Sequence, residues 1–148
     1  AQELLAQADA YNHLLYGHAD QSPIDPTEFE PERRGVFLVA YLDGRPVACG
    51  GLRQAEPLAP EGSGEVKRMF VVEDARRRGL GRLVLGALED EARRFGYPQV
   101  VLDVGRKQAG AHAMYETCGY HRIPGFTMYR GIPGNRAYSK MLEGSPEG

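Results

Sequence analysis

The stretch from Glu65 to Phe95 constrains this chain more than any other. It opens with charged residues and the apolar cluster Met69-Phe70-Val71-Val72, which predicts a strand. It closes with Leu80, Leu83, Val84, Ala87, Leu88, Ala92 and Phe95 at three- and four-residue spacings, which predicts one face of a helix. Gly96 offers a left-handed cap and Pro98 prevents the helix from resuming. Between strand and helix, Glu73 to Arg82 form a turn with two glycines and four arginines. A turn that opens a helix presents unpaired N–H groups and the positive end of the helix dipole. Gly79 and Gly81 let an anion approach the main chain with no Cβ in the way. Arginines add bidentate donors suited to phosphate. The pattern describes a phosphate-binding turn.

Two common phosphate motifs do not fit. A Walker loop requires a lysine followed by Ser or Thr after its second glycine, and none stands here. The dinucleotide fingerprint requires a third glycine where this chain has Val84. What remains is Arg76-x-x-Gly79-x-Gly81 between a strand and an amphipathic helix. A solvated basic turn or an RNA contact is the competing reading of the Arg76-Arg77-Arg78 run.

The rest of the chain reads as alternating elements. Ala1 to Gly17 predicts a helix, and the Pro-containing connector up to Gly35 has room for a short helix near Thr27 to Glu32. Val36 to Leu42, Asp43-Gly44 and Arg45 to Leu52 predict a hairpin with a primed turn. Residues 54 to 64 form a Pro/Gly-rich loop. Gln99 to Val104 predicts a strand running parallel to the one before the phosphate turn, because a helix intervenes. Gln108 to Cys118 predicts a second helix closed by Gly119. Tyr120 to Ile123 and Ala137 to Leu142 predict short strands flanking another Pro/Gly-rich loop, and residues 143–148 a frayed tail.

At 148 residues the chain suits one domain that buries roughly 70% of its unfolded surface. A net charge of −2 argues against a general affinity for nucleic acid or a membrane surface. No apolar run reaches the length of a membrane span. Cys49 and Cys118 make neither a disulfide framework nor a zinc site, so reduced thiols and a cytoplasmic protein are expected. His13, His18 and His121 have no partner at ligand spacing, so no metal is expected.

The phosphate turn resembles the pyrophosphate loop of the GNAT superfamily of N-acetyltransferases, which bind acetyl-coenzyme A. Bacterial members carry a closely similar Glu-Val-Lys-Arg-Met-aromatic-Val strand, matched here by Glu65 to Val71. Tyr115-Glu116-x-x-Gly119-Tyr120 resembles the family's second helix and following strand. The resemblance implies an α/β GNAT fold, a mixed central sheet flanked by helices, over most of residues 36–142. Family members usually begin with a further strand, which this chain lacks as read, since it opens on a helix.

Carried over residue by residue, the resemblance implies a site. Met69, Phe70, Val71 and Val72 offer main-chain groups to pantetheine as an added strand would, one N–H facing the thioester oxygen. Arg76, Arg77, Arg78, Gly79, Leu80, Gly81 and Arg82 hold the pyrophosphate. Glu65 matches a glutamate that serves some members as general base. Its structural alternative is a strand-end carboxylate paired with Lys67 or Arg68. Tyr115 matches the tyrosine that protonates the departing thiolate, against the alternative of an aromatic packing residue. His112, on the same helix face as Gln108 and Tyr115, is a weaker candidate base.

The expected reaction is acetyl transfer from acetyl-CoA to a primary amine, a small molecule or peptide, by direct attack in a ternary complex. Acceptor choice is expected from the loops at 18–35, 54–64 and 124–136. Homodimers are common in the family. Two other readings are a coenzyme A-binding module without catalysis and a nucleic-acid-binding domain that uses the arginines.

Overall fold

In a computed structural model of the protein, residues 29–105 and 108–142 are described. The expected N-terminal helix, the missing first strand and the frayed tail lie outside those residues. Six strands form one mixed sheet: β1 Val36–Leu42, β2 Arg45–Gln54, β3 Gly64–Val71, β4 Gln99–Val104, β5 His121–Ile123 and β6 Arg136–Met141, in the order β1-β2-β3-β4-β6-β5. Helix α1, Leu80–Phe95, connects β3 to β4, and α2, Ala109–Thr117, connects β4 to β5. A 3-10 turn, Pro31–Arg33, precedes β1.

The hairpin β1–β2 turns at Asp43 and Gly44 with φ of 53° and 80°, the two positive values that a type I′ turn requires. Strand β2 then alternates strictly. Ala48 and Leu52 face α1, whereas Val47 and Cys49 face a second cluster with Val72 and Ala75. Gly50 belongs to the α1 side: a Cβ there would stand 2.5 Å from Met69 Sδ, 3.0 Å from Leu88 and 3.1 Å from Val84. Its lack of a side chain lets the helix settle directly on the strand.

The buried side of α1 differs from the seven-residue stripe read from spacing. Val84, Leu85, Leu88 and Ala92 are buried, while Leu83 is 61% exposed. The burial arc is turned toward Leu85 and Glu89. Glu89 is tolerated inside because both of its oxygens are satisfied, by the Tyr120 hydroxyl at 2.7 Å and by Lys140 Nζ at 3.1 Å. The helix ends as its sequence dictates, with Gly96 at φ 83° and its N–H bonded to carbonyls of the last turn.

Across β4 and β6, Val100, Leu102 and Tyr138 face α1, and Val101 and Ala137 face a smaller cluster built on Phe126. Helix α2 adds Tyr115 to the α1 side. The opposite side is covered by the two loops: Ala55 and Ala59 of one pack with Phe126 of the other.

Candidate active site

Strands β3 and β4 run parallel, as the intervening helix predicts, but they pair only at Gly64–Val100 and Glu65–Val101. Beyond those positions β3 stays with β2, and β4 with β6. From Val66 onward β3 offers an edge of main-chain groups toward β4 that β4 does not pair. The divergence has a local cause. Pairing of β2 with β3 shifts between Cys49–Phe70 and Gly51–Lys67, so Arg68 and Met69 together oppose Gly50. This is a β-bulge, and Arg68 takes the left-handed conformation, φ 61°, that it demands. The Cys49 thiol donates to the Arg68 carbonyl at 3.4 Å. Burial raises the pKa of that thiol to about 11, which keeps it protonated as a donor.

Strand β3 leads into the glycine–arginine turn. Val72 is buried in the second apolar cluster, with its N–H given to Val47 O at 2.9 Å. Of the four apolar residues read as coenzyme contacts, Met69, Phe70 and Val71 therefore lie on the strand and Val72 is drawn beneath β2. Arg76 Nε donates to Val71 O at 2.9 Å, and its guanidinium lies 5.7 Å from the Phe70 ring centroid. Arg76 thus braces the end of β3 as well as adding charge to the turn. Arg77 at φ 69° and Gly79 at φ 77° coil the chain, so that Gly79 caps α1. The first intrahelical bond runs from Leu83 N to Gly79 O, which leaves the N–H groups of Leu80, Gly81 and Arg82 directed out of the helix end. Gly81 also lets α2 approach, since a Cβ there would stand 3.1 Å from Met114 Sδ. Arg77, Arg78 and Arg82 are exposed around this end.

Glu65 sits at the last paired position before the strands part. It is fully buried on the face opposite α1, side by side with Arg53 in the β2–β3 register. Arg53 Nη2 and Nε donate to Glu65 Oε1 at 3.0 and 3.2 Å. Oε2 is buried and makes no hydrogen bond. Desolvation dominates its titration and lifts the carboxyl to about 7, against the lowering pull of Arg53 and Lys67 and with a further push from Asp103. Its partner is Arg53 from the neighbouring strand, not Lys67 or Arg68.

Tyr115 lies on the other face. Its ring packs edge-on to Tyr120 at 5.7 Å and tilted to Tyr138 at 6.4 Å, and it is only 5% exposed. Burial pushes the phenol above its usual pKa. The two candidate catalytic groups are therefore on opposite faces of the sheet, and β3 and β4 cease to pair immediately after Glu65.

A sequence profile described as the acetyltransferase (GNAT) family matches residues 4–120. The chain belongs to the GNAT acetyltransferase family. An IAA acetyltransferase of Azospirillum brasilense is 38% identical over 120 residues, covering 80% of this chain and 74% of that protein. A crystal structure from Klebsiella pneumoniae, named as an acyl-CoA N-acyltransferase, superposes with a TM-score of 0.74 at 30% identity, covering 95% of this chain and 88% of that one. A GNAT-family structure from Elizabethkingia anophelis with acetyl-CoA bound gives a TM-score of 0.59 at 16% identity, covering 84% of this chain and 95% of that one, a likeness of fold.

This GNAT member also has residues around the gap that motif reading does not reach. Arg53 carries no motif, and only the strand register puts it on Glu65. Asp103, on the Glu65 face of β4, accepts from Thr127 Oγ1 at 2.5 Å and from Asn135 Nδ2 at 3.4 Å, which ties the 124–136 loop to the sheet. His112 is not a solvated helical histidine: Nε2 donates to Gly105 O at 2.9 Å, and Nδ1 lies 3.0 Å from the Tyr138 hydroxyl. Among the described residues, no helix is long and apolar enough to cross a membrane, and no three His, Cys, Asp or Glu residues cluster as metal ligands.

Proposed function

We propose that this GNAT protein moves an acetyl group from acetyl-CoA to a primary amine, on a small molecule or a peptide, by direct attack in a ternary complex. The observation that carries the reading is the parting of β3 from β4 immediately after Glu65, on the strand that leads through the turn into the open N-terminus of α1. A pantetheine arm with two amides fits such an edge as an extra strand. The pyrophosphate then falls at the N–H groups of Leu80, Gly81 and Arg82, where the helix dipole and nearby arginines favour it.

In this reading the amine nitrogen attacks the thioester carbonyl from the Glu65 face, and its proton passes to Glu65 Oε2, directly or through water. A carboxyl near 7 is a competent base at neutral pH, where an ordinary glutamate is a weak one. A main-chain N–H of β3 stabilises the oxyanion. As the carbon–sulfur bond breaks, Tyr115 gives its proton to the thiolate and recovers one from solvent. Burial raises the phenol above its ordinary value, so it enters the step protonated and the transfer to the thiolate runs uphill.

Two measurements test this. Calorimetry with acetyl-CoA should show saturable binding, and a thiol-release assay should show turnover that depends on an added amine. Binding without amine-dependent release from a broad panel would reduce the protein to a coenzyme-binding module.

A further inference from the structure

Arg53 forms a junction between the buried Glu65 and the surface. Its Nη2 donates to Glu65 Oε1 at 3.0 Å and to Glu56 Oε2 at 2.7 Å, while Nε adds a second bond to the same Glu65 oxygen at 3.2 Å. The guanidinium is 12% exposed, Glu65 0% and Glu56 37%. Glu56 belongs to the loop that packs against the 124–136 loop through Ala55, Ala59 and Phe126. The two-bond grip on Oε1 fixes the carboxylate plane and leaves Oε2 as its one unbonded oxygen.

We propose that Arg53 is a positioning residue for acetyl transfer, holding Glu65 by Oε1 so that Oε2 faces the acceptor, and that Glu56, by sharing Nη2, sets how strongly the grip is felt. This rests on the assignment of Glu65 as the base. The charged groups near Glu65 are Arg53 on β2, Lys67 on β3, Asp103 on β4 and Glu56 on the loop. Among the described residues, only Arg53 hydrogen-bonds its side chain. Removing the cation disfavours the ionised carboxylate, whereas removing Glu56 takes away a carboxylate that shares Nη2 and favours it. The two substitutions should act in opposite directions. Charge alone gives that opposition in the midpoints; a merely structural pair gives no reason for the acidic limb of the rate profile to follow it.

The test is to titrate Glu65 directly, by carbon-13 NMR of glutamate-labelled protein with Glu65→Gln assigning the signal, and to measure kcat/KM for an accepted amine against pH. Arg53→Gln should move the Glu65 midpoint and the acidic limb of the rate profile upward by about one pH unit or more. It should lower kcat/KM at pH 7 by roughly tenfold or more, with acetyl-CoA affinity within about twofold of wild type. Glu56→Gln should shift both downward by a few tenths of a unit. Arg53→Lys retains charge but not the fork, and should recover the midpoint better than the rate. If Arg53→Gln does not fold, Glu56→Gln and Arg53→Lys carry the test alone. Unmoved midpoints, or shifts of one sign in both charge-removing variants, overturn the proposal. Midpoints that move as expected while the rate profile stays fixed overturn instead the assignment of Glu65 as base.

Discussion

His112 and Tyr138 share a buried hydrogen bond, Nδ1 to hydroxyl at 3.0 Å, that fastens α2 to the middle of β6. Glu116 Oε2 lies 2.9 Å from the same hydroxyl, and the other imidazole nitrogen holds the end of β4 through Gly105 O. One phenol thus sets the position of the helix that carries Tyr115. Tyr138→Phe keeps the ring but leaves the buried His112 Nδ1 without this partner, while the half-exposed Glu116 retains Arg136, and should lower stability by about 1–3 kcal/mol in denaturant unfolding.

The stability of the protein should carry the signature of Glu65. The carboxyl has its ordinary value of 4.5 when unfolded and about 7 when folded, so the native state holds the proton more tightly. Its contribution is therefore complete below pH 4.5 and is lost as pH rises to about 7. Glu65→Gln has no such loss. The stability of the variant relative to wild type should grow by roughly 3 kcal/mol between acid and pH 8. A difference that is flat with pH, read from denaturant midpoints, contradicts this.

Tyr115 makes no side-chain hydrogen bond among the described residues, so its hydroxyl contributes little to the fold. Tyr115→Phe should leave the melting temperature nearly unchanged and reduce thiol release on the order of 100-fold. Equal rates would remove the phenol from the reaction.

The arginines of the turn should divide by role. Arg78→Ala and Arg82→Ala, at exposed positions, should each weaken acetyl-CoA binding several-fold, more so at low salt, without lowering thermal stability. Arg76→Ala should lower both, because the bond to Val71 O is lost with the charge.

Gly50→Val should be the most disruptive small substitution on the α1 side. Its Cβ would meet Met69, Leu88 and Val84 at 3.1 Å or less, and a branched side chain cannot avoid all three. Overpacking of this kind costs on the order of 3 kcal/mol, measurable by chemical denaturation.

Much of this was legible in the chain because local rules and tertiary structure agree. Asp43-Gly44 demands its turn, Gly96 and Pro98 end a helix, and alternation along β2 sorts its two faces. The glycine–arginine turn at the head of α1 can be read for the same reason, since glycine placement and charge act over a few residues. Glu65 and Tyr115 were visible only by family resemblance, and their surroundings were not visible at all. Arg53 reaches Glu65 through strand register, and Tyr138 reaches His112 from 26 residues away. Leu83 misled because spacing defines an apolar arc without saying how a helix is rotated upon its sheet. Buried Glu89, satisfied by Tyr120 and Lys140 from later strands, shifted that arc.

The extra residue at Arg68 governs more than a bend. Before it, the even-numbered Val66 points to the helices and Glu65 and Lys67 point away; after it, the odd-numbered Met69 and Val71 point to the helices. A strand counts in twos, so the insertion changes the parity of everything that follows. Deleting that single residue would restore regular alternation with Met69 and Val71 still toward the helices, and would straighten β3 toward β4, whereas a strand straightened with Arg68 kept would turn Met69 and Val71 outward and Phe70 inward. The chain would keep its glycine–arginine turn and lose the opening, because the bend here is decided by one residue's count along the backbone.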